Sequence, residues 1–294
     1  MSKPIVLVTG ANGQLGKEIR ELAEAYAQFS FLFVTREELP IEETEKVKAF
    51  FATHKPAYCI NCAAYTAVDK AEAEKEKAFA VNGNAVGVLA TASYESGCKF
   101  IHISTDYVFD GTSPVPYTET IPTNPVNTYG LSKLKGEALA LIFNPDVIII
   151  RTAWVYSAFG ANFVKTMLRL MKEKVEINVV DDQIGAPTYA ADLALVIMLI
   201  VSKHDWEATT WQPGIYHYSN AGRISWFDFA SAIRQLAHSN CKINPIPSSQ
   251  YPTPAKRPSF SLLNTEKIQA AYGIQIPDWK ESLERCMVKI LSNG

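Results

Sequence analysis

Pro4-Ile5-Val6-Leu7-Val8-Thr9 runs directly into Gly10-Ala11-Asn12-Gly13-Gln14-Leu15-Gly16, and a helical pattern follows from Lys17 to Ala27. An unbroken apolar strand of this kind is buried on both faces, as in a parallel sheet. Three glycines between such a strand and a helix make a nucleotide loop. Gly10 turns the chain sharply, Gly13 lets a pyrophosphate approach the backbone and the helix N-terminus, and Gly16 lets helix and strand pack closely. Elsewhere a glycine triplet marks only a tight turn; its place between the first strand and the first helix makes it specific.

Working outward, strands and helices alternate: strand 31–35, helix near 43–53, strand 57–61, helix near 75–96, strand 99–104, helix 128–143 and strand 146–151. Such repetition predicts an α/β fold with a Rossmann-type, doubly wound parallel sheet. Asn61-Cys62-Ala63-Ala64 follows the third strand, where small residues let a dinucleotide lie against the loop, although close packing alone would favour the same residues. From about residue 158 the alternation weakens and Trp, Tyr and Pro become frequent, as in a smaller C-terminal substrate-binding lobe. The expected division is therefore 1–157 for dinucleotide binding, with 189–218 returning to it, and 158–188 plus 219–294 for the lobe.

Chemistry is expected between Ser104 and Lys133. Thr105 closes the apolar run Phe100-Ile101-His102-Ile103, which places its hydroxyl at the carboxyl end of a strand, where open α/β sheets bind ligands. After Pro125 the chain reads as a helix with Asn127 or Thr128 as N-cap, so Tyr129 and Lys133 share one face a turn apart. A phenol with an ordinary pKa of about 10 is a poor acid at neutral pH, and an ammonium one turn away favours its ionisation by charge. Tyr129 is then placed to give a proton to a carbonyl oxygen as hydride reaches its carbon, with Thr105 holding that oxygen. An aromatic ring packed beneath a lysine stem produces the same spacing.

Composition excludes several classes of function. The chain has 294 residues, 48% of them hydrophobic and 20% charged, with net charge −2, which argues against disorder, a nucleic-acid surface or an electrostatic membrane partner. Its longest apolar run, Leu193 to Val201, is far short of the roughly 20 residues of a membrane span, and no basic region with a cleavage site opens the chain. A cytoplasmic protein is expected. The five cysteines are scattered and odd in number, which suits a reducing compartment. Cys59 and Cys62 form a C-x-x-C without a second pair at zinc-ligand spacing, so they read as small core residues.

Together these residues resemble the extended short-chain dehydrogenase/reductase family, with its T-G-x-x-G-x-x-G, its N-A-A-like step after the third strand and its Ser/Thr, Tyr and Lys set. Further stretches narrow the resemblance: residues 61–70, Ser104-Thr-Asp-Tyr-Val-Phe109, Arg151-Thr-Ala-Trp-Val-Tyr156, Asp182 through Thr188, and Pro254-Ala-Lys-Arg-Pro258 with Leu263-Asn264. In order, they are similar to those of family members that reduce a dTDP-linked keto sugar, and they span nearly the whole chain. The resemblance implies reduction of the C4 ketone of dTDP-4-dehydro-L-rhamnose to dTDP-L-rhamnose, a step feeding surface polysaccharide.

Carried over by position, it implies that Thr105 orients the ketone, Tyr129 is the acid, and Lys133 tunes Tyr129 and binds the nicotinamide ribose. Asp106 and Trp154 would lie beside the sugar. Gly10, Asn12, Gly13, Gln14, Leu15, Gly16, Ala63, Ala64, Tyr65, Tyr129 and Lys133 would hold the dinucleotide. Lys256-Arg257-Pro258, in a proline-bracketed loop, would by itself read as a solvated basic loop, and the resemblance turns Arg257 into a clamp for the substrate diphosphate. The residues themselves add Arg36: Val34-Thr35-Arg36-Glu37 ends the second strand where a carboxylate usually repels a 2′-phosphate, so NADPH is preferred and NADH is possible.

Relatives place a divalent cation at a dimer interface. Glu18 matches one ligand but Ala191 stands at another, so no metal is expected, while a homodimer is compatible with the resemblance. Two rival functions remain open at this stage. One is another nucleotide-sugar reductase or epimerase of the same fold; the other is a non-catalytic regulatory subunit resembling that of methionine adenosyltransferase.

Overall fold

The computed structural model describes residues 3–292. Its central sheet is built from β1 (Ile5–Thr9), β2 (Ser30–Val34), β3 (Tyr58–Asn61), β4 (Lys99–Thr105), β5 (Ile148–Thr152) and the strand Gly214–Tyr218. In space the order is Gly214–Tyr218, β5, β4, β3, β1, β2, and every pairing is parallel. The chain steps outward from β1 to β2, then returns to place β3 on the other side of β1. A crevice must open at the carboxyl ends of β1 and β3, where the connections diverge.

Side chains alternate across the strands and separate two cores. Val6, Val8, Ile60, Ile101 and Ile150 face the helices Gln14–Leu22 and Ala190–Trp206 through Leu15, Ile19, Leu193 and Ile197. Leu7, Cys59, Phe100 and Ile149 face the helices Thr44–His54, Ala85–Glu95 and Thr128–Phe143 through Val47, Phe51, Leu89 and Ala140. A third core joins the helices Phe163–Glu173, Trp226–Leu236 and Trp279–Ser292 over the parallel pair Glu176–Val180 and Lys242–Ile246. A small fourth cluster, including Phe109, Tyr117, Ala153, Phe260 and Leu263, lies where the sheet meets this C-terminal region.

One expected helix departs from plan. Residues 75–95 are not continuous α-helix but Lys75–Phe79, a π-helical turn at Ala80–Asn84, and Ala85–Glu95. The wider turn coincides with the buried Asn82, whose side chain bonds both the N–H and C=O of Tyr65 (2.8 and 3.0 Å) and Ser132 Oγ (3.0 Å). Turns of this kind often sit at functional sites. β5 begins at Ile148 rather than 146 because Asn144 Oδ1 accepts from Asp146 N (3.0 Å) and holds a turn there. No helix of the described residues is long and apolar enough to cross a membrane.

Candidate active site

The crevice is a cleft of about 690 Å³. Gly10 begins it with φ +65°, and a Cβ there would stand 2.6 Å from Ala63 N, so the loops after β1 and β3 touch only because this residue is glycine. Thr9 Oγ1 donates to Asn61 Oδ1 (2.7 Å) and ties the same two strand ends. Gly16 packs against the loop rather than against a strand: its Cβ would lie 2.5 Å from Gly10 O. The helix Gln14–Leu22 starts at Gly13 with no side-chain cap. Its first N–H groups therefore stand at the cleft wall with no side-chain acceptor, a fitting cradle for a pyrophosphate.

Gly10, Asn12, Gly13, Gln14 and Leu15 line the cleft from the loop, and Ala63, Ala64 and Tyr65 from beyond β3. Arg36 stands at the far end, with Glu37, and Tyr129 and Lys133 at the near end. Gly16 lies behind the wall. Cys62 also lines the cleft while Cys59 is core, so the two halves of the C-x-x-C part company. Burial pushes the Cys62 thiol up to about 12, against the pull of Lys133. Arg36 is exposed and pairs with Glu42 at 2.8 Å. Gln14 reaches out of the loop to the C-terminal region, donating to Val155 O (3.4 Å) and accepting from Asn162 Nδ2 (3.0 Å).

Asn127 is the N-cap of the helix Thr128–Phe143, accepting from Gly130 N at 2.8 Å. Tyr129 is edge-on to Tyr107, with ring centroids 5.5 Å apart. Burial pushes the Tyr129 phenol up to about 12, opposed by the nearby Thr105 hydroxyl and reinforced by the charge of Asp106. The expected push from Lys133 is not what governs it. Lys133 Nζ points inward, donating to Ile103 O (2.6 Å) and meeting His102 Nε2 at 3.4 Å. Burial lowers this ammonium to about 8, against the opposing pull of Glu137.

His102 was not singled out by the sequence reading, because a histidine within an apolar strand reads as core. It extends a buried chain across three strands, Thr9 to Asn61 and Asn61 to His102 (3.0 Å), and its other ring nitrogen lies 3.4 Å from Lys133 Nζ. Asn61 Oδ1 already accepts from Thr9 Oγ1 and Ala63 N, so its Nδ2 donates to His102 Nδ1 and the network assigns the ring proton to Nε2. Burial and the Lys133 charge hold His102 far below the usual histidine range, hence neutral.

The remaining predicted residues lie outside this cleft. Thr105 donates to Asp106 Oδ1 (2.9 Å) and accepts from Tyr107 N (3.2 Å). Asp106 is 2% exposed; burial pushes its carboxyl up to about 6 despite the Ser261 and Thr105 hydroxyls. Ser261 approaches without a well-formed hydrogen bond, and Oδ2 has no such partner. Trp154 adopts φ +49° and stacks on Trp226 at 3.7 Å between centroids. Strain at a non-glycine residue of this kind is held only by its surroundings. Arg257 forms a two-pronged pair with Asp69 (3.0 and 2.9 Å), so its fork is already engaged.

The residues near Glu18 do not fit a cation. Its two oxygens accept from Ser157 Oγ (2.5 Å) and Lys289 Nζ (2.9 Å), and among the described residues no three His, Cys, Asp or Glu side chains gather to hold a metal.

Comparison with known proteins adds the following. The family model described as the RmlD substrate binding domain matches residues 4–292. A dTDP-4-dehydrorhamnose reductase from Burkholderia thailandensis is 44% identical over 299 residues, covering 98% of this chain and 99% of the relative. Two solved structures superpose with a TM-score of 0.92. A dTDP-4-dehydrorhamnose reductase from Clostridium acetobutylicum is 39% identical, covering 98% of this chain and 99% of that one. Its counterpart from Bacillus anthracis, in complex with NADP, is 38% identical, covering 98% and 100%.

Proposed function

The chain belongs to the RmlD substrate-binding domain family, and from that premise we propose that it reduces the C4 ketone of dTDP-4-dehydro-L-rhamnose to dTDP-L-rhamnose with NADPH. One observation carries the reading: the glycine loop and the Tyr129–Lys133 helix wall a single cleft, with Thr105 beside Tyr129 at the end of β4. NADPH bound in that cleft supplies the hydride.

In this reading Gly10, Asn12, Gly13, Gln14, Leu15 and Gly16 form the pyrophosphate end, Ala63, Ala64 and Tyr65 the opposite wall, and Arg36 meets the 2′-phosphate. The two glycine contacts and the uncapped helix start support this fit. Tyr129 hands its proton to the ketone oxygen. A phenol held near 12 stays protonated at neutral pH, and the alkoxide formed by hydride addition is a stronger base than phenolate, so the transfer runs downhill. Thr105 holds the same oxygen, and Lys133 binds the nicotinamide ribose from a position set by Ile103 O. Asp106 and Trp154 flank the sugar, and Arg257 takes the diphosphate. Residues 158–188 and 219–294 serve as the substrate lobe, with 189–218 returning to the dinucleotide unit of 1–157. Free cysteines fit the reducing cytoplasm as the place of action.

The test is direct. Purified protein is given dTDP-4-dehydrorhamnose, made enzymatically from dTDP-glucose, and NADPH absorbance is followed. Turnover to dTDP-rhamnose supports the reductase; tight cofactor binding without turnover would favour a regulatory role instead.

A further inference from the structure

Pro125-Val126-Asn127-Thr128-Tyr129 opens the helix that carries Tyr129, and its first turn is held from three directions. Glu72 accepts from Thr128 N and from Thr128 Oγ1, both at 2.8 Å. Gly130 lies so close to Tyr107 O that a Cβ would come within 2.1 Å of it. The third hold is Asn127, 4% exposed, which uses both ends of its amide. Oδ1 caps the helix by accepting from Gly130 N, and Nδ2 donates to Lys256 O at 2.8 Å.

That second bond is the unusual one. Capping alone is served equally by Asp, Ser or Asn, and the positive end of the helix favours a carboxylate. Only an amide caps with one atom and donates with another. The acceptor, Lys256 O, sits inside the Pro254–Pro258 loop, 129 residues along the chain. Arg257, the next residue, is anchored to Asp69, and Asp69 Oδ1 also accepts from Ala255 N (3.2 Å). Asp69 and Glu72 belong to one short stretch around the helix Val68–Ala71. The basic loop, this stretch and the start of the Tyr129 helix thus form one hydrogen-bonded junction, with Asn127 bonded to both the loop and the helix.

We propose that Asn127 is a positioning residue that couples the seating of the Arg257 loop to the placement of the Tyr129 hydroxyl, so that occupancy of the diphosphate site is felt at the proton donor. This rests on the reductase reading and extends it. Tyr129 is two residues beyond the cap, and the first turn of a helix is the part that most easily frays. A loop that pulls on Asn127 therefore moves the acid before it moves the rest of the helix. A proton donor displaced by a fraction of an ångström loses rate steeply.

The experiment separates capping from coupling. Asn127→Asp keeps the cap and sets a carboxylate against Lys256 O; Asn127→Ser keeps the cap and is too short to reach the loop. Both keep the cap and lose only the bond to the loop, so both should melt within a few degrees of wild type. Both should lose about tenfold in kcat for the keto sugar, the size expected when one positioning hydrogen bond is lost. Placed in an Arg257→Ala background, the same changes should have almost no further effect, since an unseated loop has nothing to transmit. As an activity-independent readout, adding dTDP should slow amide exchange in both 254–258 and 127–131 of wild type, but only in 254–258 of Asn127→Asp.

Wild-type kcat in both variants, equal losses in the two backgrounds, or dTDP protection of 127–131 in Asn127→Asp would each overturn the coupling while leaving the reductase reading intact. If wild type neither turns over the keto sugar nor binds dTDP, the functional reading falls, and this inference with it.

Discussion

At the nucleotide end of the site, each wall follows a strand directly: Gly10 to Leu15 after β1, Arg36 after β2, and Ala63 to Tyr65 after β3. At the sugar end the candidate residues depend on partners from far along the chain. Arg257 is held by Asp69 across 188 residues, Trp154 stacks on Trp226, and the helix cap at Asn127 reaches Lys256. The first region is shaped by backbone, with glycines that allow loops to touch and a helix end left uncapped. The second is shaped by side chains that must first find each other. Backbone geometry of the first kind is written in a contiguous motif, whereas side-chain pairing of the second kind appears only after folding.

The comparison predicts that substitutions at the two ends separate cofactor from substrate. The largest effect is expected where the ends meet. Tyr129→Phe should lower kcat by roughly 10² to 10⁴-fold, the usual contribution of a general acid, and leave the Kd for NADPH nearly unchanged in a fluorescence titration. Near-wild-type turnover would remove Tyr129 as the acid.

Next is Asp106, the buried carboxyl of the sugar end. Its folded pKa of about 6 stands above an unfolded value of about 3.9, so the folded state holds the extra proton between them. The associated stability is full below about pH 4 and is lost as pH rises through 6. Asp106→Asn cannot ionise. Denaturant titrations should find it gaining on wild type as pH rises from 4 to 7, by up to about 3 kcal/mol at 1.36 kcal/mol per pKa unit. A constant difference across that range would mean that the carboxyl is not strained by burial.

Arg36→Ala sharpens the nucleotide end. If Arg36 leaves Glu42 for the 2′-phosphate, kcat/KM should fall roughly ten- to hundredfold with NADPH and stay level with NADH, as for a charge-assisted contact of about 1.5–3 kcal/mol. Equal change with both cofactors would take Arg36 out of the site. The smallest effect is expected for Arg257→Ala, since its guanidinium must exchange Asp69 for the diphosphate and gains only the difference. KM for the sugar nucleotide should rise about tenfold with the Kd for NADPH unchanged. Parallel losses in both would show that the junction itself had been damaged.

Legibility followed the same divide. The βα alternation, the glycine loop and the Tyr129–Lys133 spacing were readable because each depends on a local period or on a motif of a few residues. The cap at Asn127 was one of two candidates, and only the bond to Gly130 N decided it. His102 and Asn82 were missed: one lies inside an apolar strand, the other at a π-helical turn that no helical period announces. Gly16 was read correctly as a close-packing residue but with the wrong neighbour, the loop rather than the strand.

The sequence by itself determined the parallel sheet, the place of the nucleotide loop and the residues from which an acid and its helix would be drawn. Apolar runs, glycines and a four-residue spacing impose these wherever the chain lies. Only the tertiary structure decided the ionic state of the site and the company its charges keep. Lys133 turned inward to Ile103 O, Tyr129 was held near 12 by burial rather than lowered by its neighbour, and Arg257 was committed to Asp69. Desolvation and ion pairing depend on which surfaces close over a group, and those surfaces come from segments that lie from 30 residues apart, as for Lys133 and Ile103, to 188, as for Arg257 and Asp69.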